Sequence, residues 1–427
     1  MERVILKDKY LVILGGGIDQ LFMINTAHNM GLKTIVFDAD INAPGLVIAT
    51  HGFDINFSEI PKVFNCLDNL IFKGLDIKGV STMGSDVPHL LAQIASRYDW
   101  PGPSIDTGKI TTNKYLMKLR LQEKNIPIPR FELVKGVTEI EFIWDKWDCK
   151  SLVIKPTDSA GSRGVRIIKK KKELEDAFNH AFKNSNKGEV IVEEFIEGIQ
   201  ISTESIIYDE ISITPGFADR VYEGMDIFFP QIMENGGWIP SVLSKETVSD
   251  VKNLVEKTAR VLGISRGVAK GDVVIDPLKG PMIIEMAARL SGGDFSESLV
   301  PLGSGVNYIE SVINIALGEM PDWKKLHEKF NKSVANRYFF LPPGELQDIK
   351  GQEKIQKVEG LNKLEFFYNI NEYIPKIQNH GQRVGVFVIV NQNRNDVQEK
   401  VNFVYNNLQF KVNGKWLSGN PQQLKEY

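Results

Sequence analysis

Apolar runs and amphipathic stretches alternate along the first hundred residues of the chain. Tyr10–Leu14 has the pattern of a buried strand and ends in three glycines, Gly15–Gly17. A helical pattern follows as far as Met30, and Lys33–Asp38 has the pattern of a second buried strand. A strand, a helix and a strand in this order predict a parallel sheet with a right-handed crossover. We therefore expect an α/β domain at residues 1–105.

The pattern changes after the breaker Pro101–Pro103, a Pro-Gly-Pro sequence. A helical pattern from about Thr112 to Lys124 opens a second, α+β region, and a connecting helix or linker is expected at 321–332. Short strand patterns and one helical stretch then predict a small α+β cap. The expected divisions are residues 106–320 for the second region and 333–427 for the cap.

Composition and charge exclude several classes of protein. The chain has 427 residues, of which 42% are hydrophobic and 25% charged, as in a globular protein of several domains. Its 51 Lys and Arg residues against 54 Asp and Glu residues leave a net charge of −3, which gives no basic surface for nucleic acid or an anionic membrane. No uncharged run approaches the roughly 20 residues of a membrane span, and nothing at the N-terminus resembles a signal peptide, so we expect a cytoplasmic protein. Cys66 and Cys149 lack the spacing of a metal site or a disulfide framework.

The glycines of the first turn resemble a dinucleotide-binding fingerprint, with Asp38 about 20 residues farther on. However, Gln20 replaces the third glycine of that fingerprint. A tight turn between a strand and a helix explains Gly15–Gly17 without a cofactor. We interpret these glycines as a feature of the fold, or of a loop near a substrate, rather than as an NAD site.

Candidate phosphate-binding groups follow a strand in the second region. Lys155 ends an apolar run, where a lysine can reach a phosphate as a point charge or extend to solvent. The small residues of Ser159–Val165 would let backbone N–H groups approach phosphate oxygens, although the segment lacks Walker spacing. Farther on, an apolar run leads into Glu193–Ile196, which could offer an adenine a backbone edge and apolar faces, or be an ordinary strand end.

The most informative pattern is a pair of strands that flank a turn at Pro277–Gly280. Opposite residues of an antiparallel hairpin have a constant sum of residue numbers, so Asp276 should face Pro281 and Asp272 should face Glu285. The two carboxylates would then project from one face of the hairpin, about 5 Å apart at Cβ.

Two carboxylates in this position repel each other unless a positive charge compensates them. Oxygen ligands suit Mg²⁺ (or Mn²⁺), so we predict a metal ion between Asp272 and Glu285, because a structural role alone would leave the repulsion uncompensated. Lys270, expected opposite Ala287 on the same face, is the alternative neutralising group. Arg289 lies two residues beyond Ala287, where its guanidinium could grip a tetrahedral or phosphorylated intermediate.

Taken together, these residues resemble the ATP-grasp superfamily, and the resemblance covers nearly the whole chain. It implies an ATP-grasp fold, α/β and α+β in class, with an N-terminal parallel-sheet (Rossmann-like) domain and a small C-terminal α+β cap. The second region would comprise a lid at about 130–200 and a catalytic part at about 200–320. The implied cofactors are ATP and Mg²⁺.

The resemblance also implies roles for individual residues. These are phosphate binding by Lys114 and Lys155, closure over the phosphates by Gly161 and Ser162, adenine binding by Glu193, Glu194, Phe195 and Ile196, ribose binding by Gln200, and metal binding by Asp272 and Glu285. Arg289, Lys270 and Arg220 are the expected catalytic residues. Glu223 is expected beside Arg220 in the wall of the substrate pocket.

Two positions depart from the common pattern of the superfamily. Ala287 occupies the place of an asparagine, and Gly237 occupies the place of a frequent histidine before Ile-Pro-Ser. The string from Glu285 through Ala287 and Arg289 to Gly292 resembles the bacterial L-amino-acid ligases. We therefore expect an ATP-dependent carbon–nitrogen ligase that converts a small carboxylate, such as an amino acid, to an acylphosphate and joins it to an amine.

Two alternatives stay open. The first is a carboxylase or formate-using ligase that acts on a nucleotide-like amine, and the second is a nucleotide-binding sensor without turnover. The expected partners are a small-molecule carboxylate and an amine, with no nucleic acid and no membrane. An exposed sheet edge or helix face of the N-terminal domain would permit a homodimer.

Overall fold

The computed structural model describes residues 9–148 and 150–424. The N-terminal residues on which the expected absence of a signal peptide depends, and Cys149, lie outside the described residues. Cys66 is a free cysteine. Among the described residues, no helix combines the length and the apolar character that crossing a membrane requires.

The N-terminal part confirms the predicted strand–helix–strand opening. Its elements are β1 Lys9–Leu14, α1 Ile18–Asn29, β2 Lys33–Asp38, α2 Pro44–Ile48, β3 His51–Asp54, α3 Ile60–Phe72, β4 Asp76–Thr82 and α4 Pro88–Arg97. The four strands form a parallel sheet in the order β3-β2-β1-β4. The two central strands are almost wholly buried, which explains their continuous apolar runs.

Two helices, α5 Ile105–Thr112 and α6 Lys114–Glu123, follow this sheet. The single helix expected from about Thr112 is interrupted because Asn113 leaves helical geometry and its side chain accepts a hydrogen bond from the Leu116 N–H at 3.0 Å. Lys114 consequently opens α6 at a buried position.

A four-stranded antiparallel sheet with two helices forms the next layer. Its elements are β5 Phe131–Val134, α7 Val137–Trp147, β6 Leu152–Pro156, β7 Arg166–Ile168, α8 Leu174–Lys183 and β8 Val190–Glu194, with the strand order β5-β8-β6-β7. Ile154 and Val192 pack with the residues of α7 and α8. Because side chains alternate along a strand, Lys155 and Glu193 project from the opposite face. We call this layer the lid sheet.

A large antiparallel sheet forms the centre of the molecule. The elements that follow the lid sheet are β9 Ile199–Tyr208, β10 Ile211–Arg220, α9 Met225–Phe228, β11 Gly237–Ile239, α10 Lys245–Val261, β12 Arg266–Asp276, β13 Gly280–Ala287, α11 Val300–Ser304, α12 Ile309–Ala316 and β14 Ser333–Phe339. A short 3₁₀ turn, Trp323–Leu326, lies in the predicted connecting segment.

The C-terminal part is α+β and is built onto the same sheet. Its remaining elements are β15 Gly344–Lys350, α13 Gln352–Ile355, β16 Leu361–Phe366, β17 Tyr373–Ile374, β18 Gly385–Asn391, α14 Arg394–Asn407, β19 Gln409–Val412 and β20 Lys415–Leu417. The central sheet has the order β13-β12-β9-β10-β11-β14-β18-β16, and a smaller sheet has the order β17-β15-β19-β20. Since β14, β16 and β18 extend the central sheet, residues of the C-terminal part lie beside those of the lid sheet and of hairpin β12–β13.

Candidate active site

Two adjoining cavities lie where these layers meet. The lid cavity, of about 200 Å³, lies between the lid sheet and hairpin β12–β13, with Lys155 and Asp272 in its walls. The junction cavity, of about 500 Å³, lies where the N-terminal, central and C-terminal parts meet, and Asp19, Asp294 and Lys363 line it. Some residues line both cavities, and we call them the shared wall: Ala160, Gly161, Arg220, Lys270, Arg289 and His380.

The structure brings all of the predicted site residues except Glu223 to the lid cavity. They are Lys114, Lys155, Gly161, Ser162, Glu193, Glu194, Phe195, Ile196, Gln200, Arg220, Lys270, Asp272, Glu285 and Arg289. Glu223, expected in the same wall, lies instead against Arg337, at 3.8 Å between a carboxylate oxygen and Nε. The structure thus shows that these side chains lie together, and the chemical role of each residue stays a prediction.

Hairpin β12–β13 places Asp272 opposite Glu285 and Lys270 opposite Ala287, as predicted. The predicted register at the turn is wrong: Asp276 faces Gly280, not Pro281. A bulge after Asp272 absorbs one residue of β13, so the register shifts between the turn and the acidic pair. The two carboxylates therefore share a face, although the turn is one residue shorter than expected.

The acidic pair is compensated by side chains of the chain itself. Asp272 Oδ2 lies 2.5 Å from Lys270 Nζ and 3.3 Å from Arg220 Nη1, and its Oδ1 accepts a hydrogen bond from Ser202 Oγ at 3.1 Å. Glu285 lies 3.2 Å from Lys114 Nζ. We expected that, without a metal ion, the repulsion between Asp272 and Glu285 would be uncompensated, and this is wrong. The alternative, that Lys270 neutralises the pair, agrees with the contact between Lys270 and Asp272.

Both carboxylates are held in their charged form. Burial alone would raise the pKa of Asp272, but Arg220 and Lys270 lower it below its ordinary value. Burial likewise acts to raise the pKa of Glu285, and Lys114 with the neighbouring lysines reverses that effect and lowers it. Two ionised carboxylates are thus available to a cation at neutral pH.

Lysines of α6 and β6 converge on Glu193, on the open face of the lid sheet. Glu193 lies 2.8 Å from Lys155 Nζ and 3.3 Å from Lys118 Nζ. Lys118 was not predicted; it is fully buried, and burial lowers its pKa to about 8. The carboxylate of Glu193 thus serves to hold two lysines beside the cavity.

The segment after Glu193 has further partners. Glu194 accepts two hydrogen bonds from the Arg130 guanidinium, at 2.9 and 3.0 Å, which lower its pKa. Its own backbone N–H and that of Phe195 donate to the carbonyls of Arg130 and Ser151. Because these two N–H groups already have partners, other backbone groups of Glu193–Ile196 would have to form the hydrogen-bonding edge that we expect for adenine. Gln200, farther along, accepts a hydrogen bond from the Tyr222 hydroxyl at 2.8 Å.

The glycine turn after β1 has a structural explanation. The Gly16 N–H donates to Asp38 Oδ2 at 2.7 Å, so the acid of the apparent dinucleotide fingerprint is bonded to the turn itself. Gly45 packs on the same turn, and a Cβ at Gly45 would lie 2.6 Å from the Gly16 carbonyl oxygen. Gly17 lines the junction cavity. Gly237, which occupies the place of a histidine that is frequent in the superfamily, lines the same cavity.

The junction cavity contains charged residues that sequence reasoning missed. Lys363 Nζ lies 2.8 Å from Asp294, 3.0 Å from Glu365 and 3.3 Å from Glu297. Asp19 accepts a hydrogen bond from the Gly293 N–H at 3.2 Å. Burial, with the neighbouring Asp294, raises the pKa of Asp19 despite that bond. No local pattern distinguishes these residues from ordinary surface charges.

A buried glutamate fixes the loop between the two cavities. Glu204, in β9, accepts a hydrogen bond from Ser296 Oγ at 2.7 Å and further bonds from the Ser291 N–H and the Tyr308 hydroxyl. Burial raises its pKa, and the three donors act in the opposite direction. These bonds determine the path of the chain from Arg289 into the junction cavity.

Two family models match separate parts of the chain. Residues 111–293 match the ATP-grasp domain, and residues 337–413 match the L-amino acid ligase C-terminal domain 2.

Relatives of the chain are distant. The uncharacterized protein y4rH of Sinorhizobium fredii is 24% identical over 329 residues, covering 75% of this chain and 66% of the relative. An L-arginine-specific L-amino acid ligase of Bacillus subtilis is 22% identical, covering 71% and 73%. A formate-dependent phosphoribosylglycinamide formyltransferase of Prochlorococcus marinus is 26% identical, covering 44% and 48%. The chain thus spans about half to two thirds of the length of the first relatives it matches.

Solved structures share the fold. An L-amino acid ligase from Bacillus licheniformis superposes with a TM-score of 0.82 at 19% identity, covering 94% of this chain and 98% of the other. A phosphoribosylglycinamide synthetase from Anaerococcus prevotii gives a TM-score of 0.72 at 22% identity, covering 95% and 99%.

Proposed function

We propose, on the premise that the chain belongs to the ATP-grasp superfamily of ATP-dependent carbon–nitrogen ligases, that it converts the carboxylate of a small amino acid to an acylphosphate and passes the acyl group to an amine. The observation that carries this proposal is the shared wall. Arg220, Lys270 and Arg289 line both the lid cavity, whose lysines and paired carboxylates support binding of a triphosphate with its metal ion, and the junction cavity, whose charges of both signs support binding of a zwitterion.

The donor set of the lid cavity fits a hard divalent cation. Asp272 and Glu285 offer carboxylate oxygens from opposed positions of one hairpin, and Mg²⁺ commonly uses one or two carboxylates together with phosphate oxygens. No group of three or more His, Cys, Asp or Glu side chains that could hold a metal ion is found in residues 9–148 and 150–424. When bound with ATP, Mg²⁺ would neutralise phosphate charge. Lys270 would then exchange its contact with Asp272 for one with substrate.

The first step is phosphoryl transfer. A carboxylate oxygen of the acid attacks the γ-phosphorus of ATP, and the bond between that phosphorus and the ADP oxygen breaks. Lys114 and Lys155, both buried beside the cavity, hold the phosphates, and the glycine loop excludes water. Arg289, in the shared wall, stabilises the charge on the transferring group.

The second step takes place towards the junction cavity. The nitrogen of the amine attacks the acyl carbon, the bond from that carbon to the phosphate oxygen breaks, and the nitrogen releases a proton. Asp294 and Lys363 are paired with each other at 2.8 Å, but Asp19 can attract an ammonium group and Arg383 can attract a carboxylate. The presence of charges of both signs in one cavity supports amino acids as the substrates.

A release assay tests the proposal. ADP and phosphate would be measured with amino acids supplied singly and in all pairs, and with bicarbonate or formate as separate additions. We expect release that requires two amino acids, or an amino acid and an amine, with a new amide detected by mass spectrometry. Release that requires bicarbonate or formate but no amino acid would favour the carboxylase or formate-using alternative. Nucleotide binding without release under any condition would favour the sensor.

The metal assignment is tested by Glu285→Gln. This change removes one anionic ligand but leaves Lys114 and Lys155, so turnover should fall by about 1,000-fold or more while nucleotide affinity stays within severalfold of wild type. Glu246→Gln, at an exposed position of α10, is the matched control and should have no effect. Unchanged product formation by Glu285→Gln would show that the metal assignment is wrong.

A further inference from the structure

A short turn of the C-terminal part contacts the glycine loop of the lid sheet. The His380 backbone N–H donates to the Gly161 carbonyl at 3.1 Å, and His380 Nε2 lies 3.1 Å from Ser162 Oγ. The residues in contact are separated by 218 positions in the sequence. This turn belongs to none of the motifs that identify the lid cavity, and His380 is part of the shared wall.

The turn is fixed on its own side. The Asn379 side chain accepts from the Gly381 N–H at 3.0 Å, and the Gln378 N–H donates to the Gln382 side chain at 2.7 Å. Arg383, just beyond, donates to the Glu234 carbonyl at 2.6 Å and is buried. His380 is therefore presented to the glycine loop by a framework that does not depend on that loop.

The imidazole is oriented as a hydrogen-bond acceptor. His380 Nε2 lies 3.1 Å from Ser162 Oγ, and the Glu234 backbone N–H lies farther from the same nitrogen, at 3.5 Å. With the ring proton on Nδ1, the one lone pair of Nε2 can accept a hydrogen bond from the Ser162 hydroxyl. Burial lowers the pKa of His380 well below its ordinary value, and Arg383 and Arg220 act in the same direction. The neutral ring that these bonds require is thus the form present at neutral pH.

The glycine loop needs external support at this point. Gly161 and Ser162 both have positive φ angles, +64° and +61°, and the second is unfavourable for a residue with a Cβ. The first residue of the loop is anchored elsewhere, because the Ser159 carbonyl accepts from Lys114 Nζ at 2.7 Å. The middle of the loop is held by His380.

We infer that His380 is a positioning residue that holds Gly161 and Ser162 closed over Arg220, Lys270 and Arg289, so that the C-terminal part controls access of water to the transferring group. This inference rests on the proposed function for its consequence, which is the coupling of ATP consumption to amide formation. Without the imidazole, the loop would open more often and water would reach the acylphosphate. ADP would then be released without amide.

Kinetic comparison of His380→Ala with His380→Gln tests the inference. In the alanine variant we expect the KM for ATP to rise about fivefold, as for the loss of a hydrogen bond, and the ratio of amide to ADP to fall below that of wild type. The glutamine side chain can accept from Ser162, so His380→Gln should restore much of both values. His327→Ala, at an exposed histidine, is the control and should match wild type. Wild-type values in His380→Ala, or no recovery in His380→Gln, would overturn the inference.

Limited trypsin digestion gives a second readout that needs no turnover. Arg163 is exposed within the glycine loop, so cleavage after it reports opening of the loop. We expect cleavage there to be severalfold faster in His380→Ala than in wild type or His327→Ala. Equal rates of cleavage after Arg163 would contradict the inference. A wild-type protein that shows no turnover would contradict the proposed function, and the comparison of cleavage rates would still test the role of His380.

Discussion

The lid cavity and the junction cavity share a wall, but they are built in different ways. The charged residues of the lid cavity come mainly from one hairpin and two strands, and Lys114 and Lys155 lie close to acids in those segments. The junction cavity gathers Asp19 from α1, Asp294 from the loop after β13 and Lys363 from β16. Strand geometry thus orients most of the charged residues of the lid cavity, whereas the meeting of three parts of the chain brings together those of the junction cavity.

On the proposed function, the two cavities bind different substrates: the lid cavity binds the nucleotide, and the junction cavity binds the amine. A triphosphate is the same in every member of a ligase superfamily, so a local arrangement of lysines and paired carboxylates suffices to bind it. The acid and the amine differ, and residues from several parts of the chain can vary independently around them. On the proposed function, changes in the lid cavity should affect nucleotide kinetics, and changes in the junction cavity should affect the second substrate.

After Glu285→Gln, the largest effect is expected for Lys155→Met. Methionine fills a similar volume, and Lys118 still compensates Glu193, so the fold should persist. On the proposed function Lys155 binds phosphate, so loss of its buried charge should lower kcat/KM for ATP by about 100-fold or more. Steady-state ADP release measures this, with Lys172→Met at an exposed lid position as control. Wild-type kinetics in Lys155→Met would show that Lys155 does not bind the nucleotide.

A smaller, different effect is expected for Lys363→Met. The change leaves Asp294, Glu297 and Glu365 without the cation that lies between them, so their arrangement should loosen. The KM for the amine substrate should rise by about tenfold, while the KM for ATP stays unchanged. Initial rates at varied concentrations of each substrate distinguish the two. A rise in the KM for ATP alone would contradict the assignment of the two substrates to different cavities.

The smallest effect on turnover is expected from Glu297→Gln, which changes the stability of the fold instead. Burial raises the pKa of Glu297 to about 7 from an ordinary 4.5, so the folded state prefers the protonated side chain. The folded state therefore loses stability as pH rises through that interval, and glutamine avoids the loss. The variant should gain up to about 2.5 kcal/mol relative to wild type between pH 5 and pH 8. Urea unfolding at both pH values measures it, and an equal difference at both would contradict the raised pKa.

Features of the fold that depend on residues close together in the sequence could be predicted, and features that depend on distant residues could not. The opening sheet and the facing of Asp272 and Glu285 were predicted because strand alternation and hairpin register act over a few residues. The register at the turn was predicted wrongly because a bulge leaves no mark in the apolar pattern. The family resemblance, carried by these local motifs, is confirmed by the two matching domains.

The sequence by itself thus determined the layered ATP-grasp fold and a set of site residues that line the lid cavity. Only the tertiary structure decided what compensates the acidic pair, which buried groups support the site and how the junction cavity is charged. Lys118 against Glu193 and His380 against Ser162 join segments far apart in the chain. Such contacts depend on how helices and sheets pack, and periodicity within one segment contains no information about them.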